Sequence, residues 1–512
     1  MLTFDFQKNK YSSLPKVYLT KYPQEAQGWV NGVYQKRVVE KNEITIPKDQ
    51  SGLKIVTKDW QEKGAALNGD AKTQPTYHYC ETTHVSIGAA NANYLLNLTI
   101  NNDDNCERTV DILVNHICED TVVLQAQQVK KINLKIALSQ DTFDLNFANH
   151  NCSNSQVNAL PWSLRLLNFS LEKIPFLPAS GKLGIYLASD STAQTYSPRE
   201  EPQSGWGEEL YHQLKGANVT ITNSSFYPQA TRYTMPHSFV DNRSMGARSS
   251  KSFILEGRLA SILKVLAPGD YLLIQFGDND ATAIRPNRYV PVAKFSYYIE
   301  QYIKSALARK AHPILISPPA QFKFDSQKQQ FITTFDGYRD VVRDLGAKYQ
   351  IPVIDLGNKM TDLLNNYGYQ AAHSFYLQVN QDDYPNLTED KHDITHFQHY
   401  GAFRIAQIIA SELSFITKSN DFVQRRFGQD YRPVIDQKLQ KIYLKWPIVK
   451  NADFYVIETR TDQDWVYNSV TTKNESYVGP IATDKKQRQD FKIIAFDDLG
   501  SSIEEKVISI VC

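Results

Sequence analysis

Apolar and polar residues alternate along the first third of the chain. The segments "YLLNLTINN" (94–102), "TVDILVN" (109–115) and "KINLKIAL" (131–138) show this pattern, and Asn and Asp bound them. A period of two residues is typical of strands with one buried face. We therefore predict that residues 1–177 form a β domain, ending in a linker at "IPFLPASGK" (174–182).

The pattern changes at residue 183. Short, nearly continuous apolar runs recur, which is typical of buried parallel strands, at 183–188, 271–276, 313–317 and 351–356. Helical periodicity lies between them, at 292–310 and 335–350. Alternating strands and helices predict a parallel sheet covered on both faces. We assign this α/β domain to residues 178–425.

The last part of the chain returns to strand-like segments. They are "KIYLKWP" (441–447), "FYVIETR" (454–460) and "FKIIAF" (491–496). We predict a small β-sandwich over 430–512.

Composition narrows the function classes. The chain has 512 residues with 56 basic and 55 acidic side chains, a net charge of +1, and no basic stripe. Nucleic acid is therefore not an expected partner. No apolar run approaches the roughly 18 residues of a membrane span, so no membrane association is expected.

Two further features concern the compartment. The start of the chain lacks the pattern of a secretory signal, so we expect a cytoplasmic protein, or a secreted one if a signal was removed. The five Cys have no metal-ligand spacing and favour free thiols, with one disulfide among the first four as the alternative.

Four polar blocks accompany the α/β elements. They are 189–192, "NRSMGARSSKSF" (242–253), 277–280 and 393–396. The last lies in "KHDITHFQHYG", which we interpret as a loop before a helix. Its Asp393 and His396 fit a metal site, a catalytic pair or solvated side chains. No Cys, Glu or third His recurs at metal-ligand spacing, so we predict no metal.

The four blocks, in this order, resemble those of the SGNH (GDSL) hydrolases. "SGWGEEL" (204–210), "EGRL" (256–259) and "PGDYLLIQFGDND" (268–280) are similar to the rhamnogalacturonan acetylesterase-like branch. The resemblance implies a multidomain chain whose central domain is a flavodoxin-like α/β/α hydrolase. "FDF" (4–6) resembles the start of a galactose-binding-like β-sandwich, and 430–512 resembles a fibronectin type III module.

The resemblance also implies roles for individual residues. Ser191 would be the nucleophile, His396 its general base and Asp393 the partner that orients the His. The backbone N–H groups of Ser191 and Gly246 and the side chain of Asn279 would form the oxyanion hole. No cofactor is implied.

The chain departs from the family pattern at two positions. Ser189 stands where the family has its first Gly, which could alter the turn or be tolerated. Asp278 stands where the branch often has His, and we expect its side chain to point away from the oxyanion.

Other polar residues are weaker candidates. Arg285 and Arg288 follow the Asn279 block and are candidates for lining a substrate cleft. Arg243, Arg248 and Lys251 are expected to be structural or solvated rather than sugar-binding. His392 and His399 are expected to be solvated or to cap a helix, and Trp206 is expected to be buried.

The expected activity is removal of acetyl groups from acetylated pectic oligo- or polysaccharides through an acetyl-Ser191 intermediate. One alternative is an esterase acting on acetyl-xylan or other small acyl esters. The other is a carbohydrate-binding protein with a degenerate hydrolase core. The sequence does not specify the exact ester, the oligomeric state or ligands of the flanking β domains.

Overall fold

The structure of the chain is a computed structural model. It describes residues 83–149, 163–215, 219–223, 230–381, 387–419, 421–422 and 452–460, and otherwise only individual strands. The chain divides into two compact units. The first comprises Met1–Asp190, Ala247–Ile316 and Gly337–Val353; the second comprises Ser191–Gly246, Ser317–Asp336 and Ile354–Cys512.

The first unit begins with the β-rich region that the alternating pattern predicts. One antiparallel sheet has the order Leu2–Asp5, Ser163–Lys173, Asn93–Asn102 and Val129–Ala137, with Leu53–Val56 also on Ser163–Lys173. A second has the order Ile117–Leu124, Arg108–Val114, Thr142–Asn149, Thr83–Gly88 and Tyr18–Lys21. Two hairpins are described as well, Ala26–Val30 with Val33–Arg37 and Asp59–Lys63 with Thr76–Cys80.

Apolar side chains from both sheets form one core. Leu98 and Phe169 of the first sheet belong to the same buried cluster as Ile112 and Phe143 of the second. The alternation in Asn93–Asn102 places Tyr94, Leu96, Leu98 and Ile100 in this core, and the residues between them are half-buried.

The first unit also contains the parallel strands that the apolar runs predict. Leu183–Ala188, Tyr271–Gln275 and His312–Ile316 pair in parallel in that order. The helices that accompany them are Ser250–Leu255, Arg258–Leu263, Val292–Ala308 and Asp336–Tyr349. The predicted helices at 292–310 and 335–350 are confirmed.

One predicted strand is wrong in its extent. Of residues 351–356, only Val353–Ile354 are a strand, and Leu356 already begins the helix Leu356–Ala372. Asp355 explains the change, because its carboxylate accepts from Asn358 Nδ2 at 2.6 Å and its carbonyl accepts from Lys359 N. Asp is a preferred residue immediately before the first helical residue, which favours a helix over a longer strand here.

The second unit contains antiparallel strands and the helix His399–Thr417. Thr220–Asn223, Thr231–Thr234 and Ser238–Asn242 pair in sequence. Short helices lie at Pro198–Glu200, Trp206–Glu209, Leu210–Gln213 and His373–Phe375. A hairpin, Phe324–Asp325 with Gln330–Phe331, and the helix His399–Thr417 complete this part.

The interpretation of "KHDITHFQ" as a loop is wrong. Lys391–Gln398 is a strand, here called the triad strand, that pairs antiparallel with Tyr376–Val379 and Gln203–Ser204. The apolar and polar residues of "KHDITHFQ" do not alternate, so the local pattern does not reveal the pairing. The triad strand runs directly into the helix at His399.

The C-terminal segments are strands, as predicted. One sheet has the order Arg432–Asp436, Lys441–Lys445 and Glu475–Pro480. The other has the order Trp465–Thr471, Phe454–Arg460, Arg488–Phe496 and Ser502–Val511. The domain boundaries at 177/178, 425 and 430 stay predictions. None of the described helices is long and apolar enough to cross a membrane.

Candidate active site

Ser191 lies in a tight turn three residues after the strand Leu183–Ala188. Its carbonyl accepts a hydrogen bond from Tyr196 Oη at 2.8 Å, and Thr192 O accepts one from Trp206 N at 3.0 Å. Gly205 permits the second contact, since a Cβ there would come within 2.2 Å of the Gln194 carbonyl oxygen. The turn that carries Ser191 is therefore fixed on both sides.

The triad strand presents a His to this serine. His396 Nε2 lies 3.0 Å from Ser191 Oγ, and His396 Nδ1 lies 2.7 Å from Asp393 Oδ2. An ionised carboxylate can only accept a hydrogen bond, so Nδ1 must carry the proton and donate the hydrogen bond to Asp393. The lone pair of Nε2 then faces the hydroxyl of Ser191. This chain of contacts can remove a proton from Ser191 Oγ.

Asp393 is held by backbone as well as by the imidazole. Its Oδ1 accepts from the N–H groups of Thr395 at 2.7 Å and His396 at 2.9 Å. Burial alone would raise the pKa of this carboxyl, but the hydrogen bond and charge of His396 and the backbone donors lower it to about 2. Asp393 is thus ionised at any pH where the protein would work.

Side chains from outside the strand hold it in place. Gln378 Nε2 donates to Asp393 O at 2.8 Å, and Gln321 Nε2 donates to Thr395 Oγ1 at 2.9 Å. Phe322 N donates to Ile394 O at 2.8 Å. These three bonds flank the Asp393–His396 pair and preorganise its geometry.

Gly246, predicted as an oxyanion donor, lies beside the serine. A Cβ built on Gly246 would lie 3.5 Å from Ser191 Cβ. Its N–H, however, donates to Gln194 Oε1 at 2.5 Å. Sequence reasoning missed Gln194, whose only local signal is its position three residues after Ser191. In this structure the Gln194 side-chain oxygen thus accepts the hydrogen bond from Gly246 N–H that an oxyanion would need.

Asn279 belongs to the first unit and follows the strand Tyr271–Gln275. Its side chain is buried, and within the described residues its Nδ2 has no hydrogen-bond partner. A buried amide donor left unpaired is costly unless a ligand uses it. Its role in the oxyanion hole stays a prediction. Asp278, next to it, is half-buried.

The second and third polar blocks meet within the first unit. Buried Asp280 accepts from Ser250 N and from Ser250 Oγ, the latter at 2.5 Å. Burial raises the pKa of Asp280 to about 7. Ser189 Oγ donates to Gln275 Oε1 at 2.9 Å, so the residue that replaces the family Gly is tied to the neighbouring strand.

Two acidic residues near the serine turn were not predicted. Glu208 Oε2 accepts from Tyr196 N at 3.2 Å and from Ser204 Oγ at 3.3 Å. Glu209 Oε1 lies 2.9 Å from His399 Nδ1. His399, at the first position of the last helix, is about half exposed as expected, but its ring also pairs with this buried Glu.

The pKa values in this group diverge. Burial, and then the charge of Glu209, raise the pKa of Glu208 to about 7. Burial would raise the pKa of Glu209 as well, but His399 and His212 lower it. The pKa of His399 is raised, because the hydrogen bond and the charge of Glu209 outweigh the effect of its partial burial. The pair Glu209–His399 is thus charged, while Glu208 holds its proton more tightly than usual.

The weaker candidates have mainly structural contacts. Arg243 pairs with Asp241 at 2.5 Å, Arg248 pairs with Glu256 at 2.9 Å, and Lys251 Nζ donates to Tyr289 O at 3.1 Å. Arg285 and Arg288 are half-buried, and Arg288 Nη1 donates to Ala247 O at 3.3 Å. Their role toward a substrate stays a prediction. Trp206 is fully buried, as expected.

In the part of the chain that the structure describes, no group of three or more His, Cys, Asp or Glu is arranged to hold a metal ion. The described cysteines Cys106 and Cys118 are free. The other three lie where side chains are not described.

Comparison with known proteins identifies relatives of the central region. Residues 190–397 match the GDSL-like lipase/acylhydrolase family. The chain is 34% identical over 227 residues to the probable rhamnogalacturonan acetylesterase YesY of Bacillus subtilis (strain 168), a match covering 44% of this chain and 90% of that one. It is 30% identical over 226 residues to rhamnogalacturonan acetylesterase RhgT of the same organism, covering 44% and 87%.

A solved structure is similar over a longer stretch. The protein YxiM of Bacillus subtilis is 18% identical, with a TM-score of 0.38, and the match covers 72% of this chain and 89% of that one.

Proposed function

The chain belongs to the GDSL-like lipase/acylhydrolase family, and we propose that it is a serine esterase that removes acetyl groups from carbohydrates. The observation that carries the proposal is the unbroken contact from Ser191 Oγ through His396 to Asp393, at 3.0 and 2.7 Å. The family match and the names of the two relatives support ester hydrolysis and an acetylated carbohydrate as the substrate class.

In the proposed acylation, Ser191 Oγ attacks the acetyl carbonyl carbon while His396 Nε2 takes the hydroxyl proton. The N–H groups of Ser191 and Gly246 stabilise the oxyanion once Gln194 Oε1 has released the Gly246 N–H. Collapse of the tetrahedral intermediate breaks the bond to the sugar oxygen. That oxygen takes the proton from His396 and leaves as an alcohol.

Deacylation repeats these steps with water. His396 removes a proton from water as it attacks the acetyl-Ser191 carbonyl, and the proton returns to Ser191 Oγ as acetate leaves. Asp393 stays ionised throughout, consistent with its low pKa, and stabilises the imidazolium in both steps.

Within the class of acetylated carbohydrates, we propose that the specific substrate is acetylated rhamnogalacturonan. Both relatives at 30% identity or more carry that substrate in their names, and each is matched over most of its length. Acetyl-xylan and other small acyl esters are the competing substrates. A carbohydrate-binding protein with a degenerate core is disfavoured, because a degenerate site has no need to keep hydrogen-bond distances along the whole triad.

We also propose that the β-rich regions on either side are sandwiches, the first galactose-binding-like and the second fibronectin type III-like. The common core of the two N-terminal sheets supports the first. The two C-terminal sheets of three and four strands support the second.

The proposed function is tested by acetate release from acetylated rhamnogalacturonan, acetyl-xylan and p-nitrophenyl acetate, with wild type and Ser191→Ala. We expect the first to be the best polysaccharide substrate, and Ser191→Ala to lower kcat by roughly 10⁴-fold or more on all three. A variant that keeps a tenth of the wild-type rate would assign the nucleophile elsewhere. Faster acetate release from acetyl-xylan than from acetylated rhamnogalacturonan would show that acetyl-xylan is the better substrate and contradict the proposal.

A further inference from the structure

A cleft in the second unit has no assigned role. Its volume is about 700 Å³, and it is lined by Phe324, Ser326, Gln329, Tyr367, Gly368 and Tyr369. We call it the aromatic cleft. Its lining combines three aromatic rings with a hydroxyl and an amide and includes no charged side chain. Neither Ser191 nor His396 lines it, so it is distinct from the reaction centre.

The walls of the aromatic cleft are fixed to each other. The hairpin that carries Phe324 is held to the helix Leu356–Ala372 through Asn365, whose Oδ1 accepts from Phe331 N at 2.6 Å. Asn365 Nδ2 donates back to Phe331 O at 3.2 Å. The rings of Phe324 and Tyr369 lie 4.9 Å apart. A ligand would therefore meet a preformed surface, which lowers the entropy cost of binding.

A glycine keeps the cleft open. Gly368 interrupts the helix Leu356–Ala372 with φ 76° and ψ 168°, a conformation that side chains rarely adopt. A Cβ built there would meet nothing within 4 Å, so the space above Gly368 is empty. Tyr367 is anchored by a 2.6 Å bond between its hydroxyl and that of Tyr400, whereas Tyr369 remains 42% exposed.

The hairpin of the cleft is connected to the triad strand. Phe322 N bonds to Ile394 O, and Gln321 bonds to Thr395, immediately before His396. Only Lys323 lies between Phe322 and Phe324, so the Cα atoms of these two residues are at most about 7 Å apart. Phe322 also contacts the cleft directly, because its ring centroid lies 5.5 Å from that of Tyr369, so one residue touches both the cleft and the strand that carries His396.

We propose that the aromatic cleft is a subsite for a neutral sugar ring of the polysaccharide whose acetyl group is removed at Ser191. The inference rests on the proposed function. The C–H face of a pyranose is apolar and packs on an aromatic ring, while its hydroxyls can bond to Ser326 and Gln329. The uncharged lining gives a uronate carboxylate no ion partner, so burying one would be unfavourable. Rhamnose, a neutral deoxy sugar, fits better than galacturonate.

The test compares Tyr369→Ala with Tyr297→Ala, a control that removes another exposed tyrosine, on the helix Val292–Ala308. For each variant, kcat/KM on acetylated rhamnogalacturonan oligosaccharides is divided by kcat/KM on p-nitrophenyl acetate. We expect the ratio to fall roughly tenfold in Tyr369→Ala, through KM. The control should keep the wild-type ratio.

A second measurement does not depend on esterase activity. Deacetylated rhamnogalacturonan oligosaccharides and oligogalacturonate are titrated into wild type, Tyr369→Ala and Gln329→Ala. We expect the first ligand to bind more tightly than the second, and each variant to weaken it at least threefold. Unchanged binding in both variants, or equal binding of oligogalacturonate, overturns the subsite. Binding that depends on Tyr369 in a protein that releases no acetate overturns the proposed esterase and keeps the subsite.

Discussion

At the scale of single residues, Gln194 accepts a hydrogen bond from one of the two predicted backbone donors of the oxyanion hole. Its Oε1 accepts the Gly246 N–H at 2.5 Å, and its side chain is almost fully buried. An amide oxygen resembles a substrate carbonyl oxygen in both charge and geometry. If Gly246 stabilises the oxyanion, Gln194 must withdraw when the substrate enters, and it satisfies a buried donor until then.

This arrangement gives a prediction for Gln194→Glu. A carboxylate would hold the Gly246 N–H more strongly and repel the oxyanion, so we expect kcat/KM on p-nitrophenyl acetate to fall at least roughly tenfold. Gln194→Ala removes the competing oxygen without adding charge and should have a much smaller effect. Equal activities of the two variants across pH 6 to 8 would argue against Gly246 as a donor.

At the scale of elements, the parallel strands could be predicted, because buried strands leave a local signal. The roles of Ser191, His396 and Asp393 came from the resemblance of the polar blocks to a family and stay predictions. The strand character of Lys391–Gln398 could not be predicted, since its pairing depends on Tyr376–Val379 and Gln203–Ser204. Gln194 and the Glu208–Glu209 group were missed for the same reason. Gln194 contacts Gly246, and Glu209 contacts His399, but these partners are far apart in the chain and sequence spacing does not reveal such contacts.

The element Trp206–Glu209 gives a prediction about pH and stability. Its Glu208 has a pKa raised from 4.5 to about 7, so the folded state binds this proton more tightly than the unfolded state. The stabilisation is complete below about pH 4.5 and is lost as pH rises through 7. Burial and then the charge of Glu209 raise the pKa of Glu208, whereas the hydrogen bonds from Tyr196 N and Ser204 Oγ and the charge of His399 lower it.

We therefore expect the Tm of Glu208→Gln to be closest to that of wild type at pH 5 and to exceed it by a growing margin up to pH 8. Thermal unfolding at pH 5, 6, 7 and 8 measures this difference. Glu172→Gln, which changes an exposed residue, serves as the control and should follow wild type at each pH. A Tm difference between Glu208→Gln and wild type that does not change with pH would contradict the assignment.

At the scale of the whole molecule, the apolar patterns predicted a β region followed by an α/β region but not how closely the two are joined. Within the first unit, Asn93 of the β region donates to Leu263 O at 3.1 Å, and Lys264 pairs with Glu119 at 2.6 Å. These polar contacts between segments more than a hundred residues apart leave no periodic signal.

Arg309 is the centre of this connection. It is fully buried, and its guanidinium donates to Asn93 Oδ1 at 2.7 Å, to Asn91 Oδ1 at 2.8 Å and to Leu138 O at 3.2 Å. These acceptors are neutral oxygens of the β region. A planar fork with five donors can serve them together, whereas an ammonium cannot. The β region and the α/β region should therefore depend on Arg309 for their association.

We predict that Arg309→Lys destabilises the chain by about 2–4 kcal/mol, because several buried acceptors lose their donors while a charge stays buried. Urea unfolding followed by tryptophan fluorescence should show a lower midpoint. Arg343→Lys changes an exposed arginine paired with Asp340 and should shift the midpoint very little. If both variants unfold at the wild-type urea concentration, the buried network does not join the two regions, and the β region should then be removable without loss of stability in the hydrolase region.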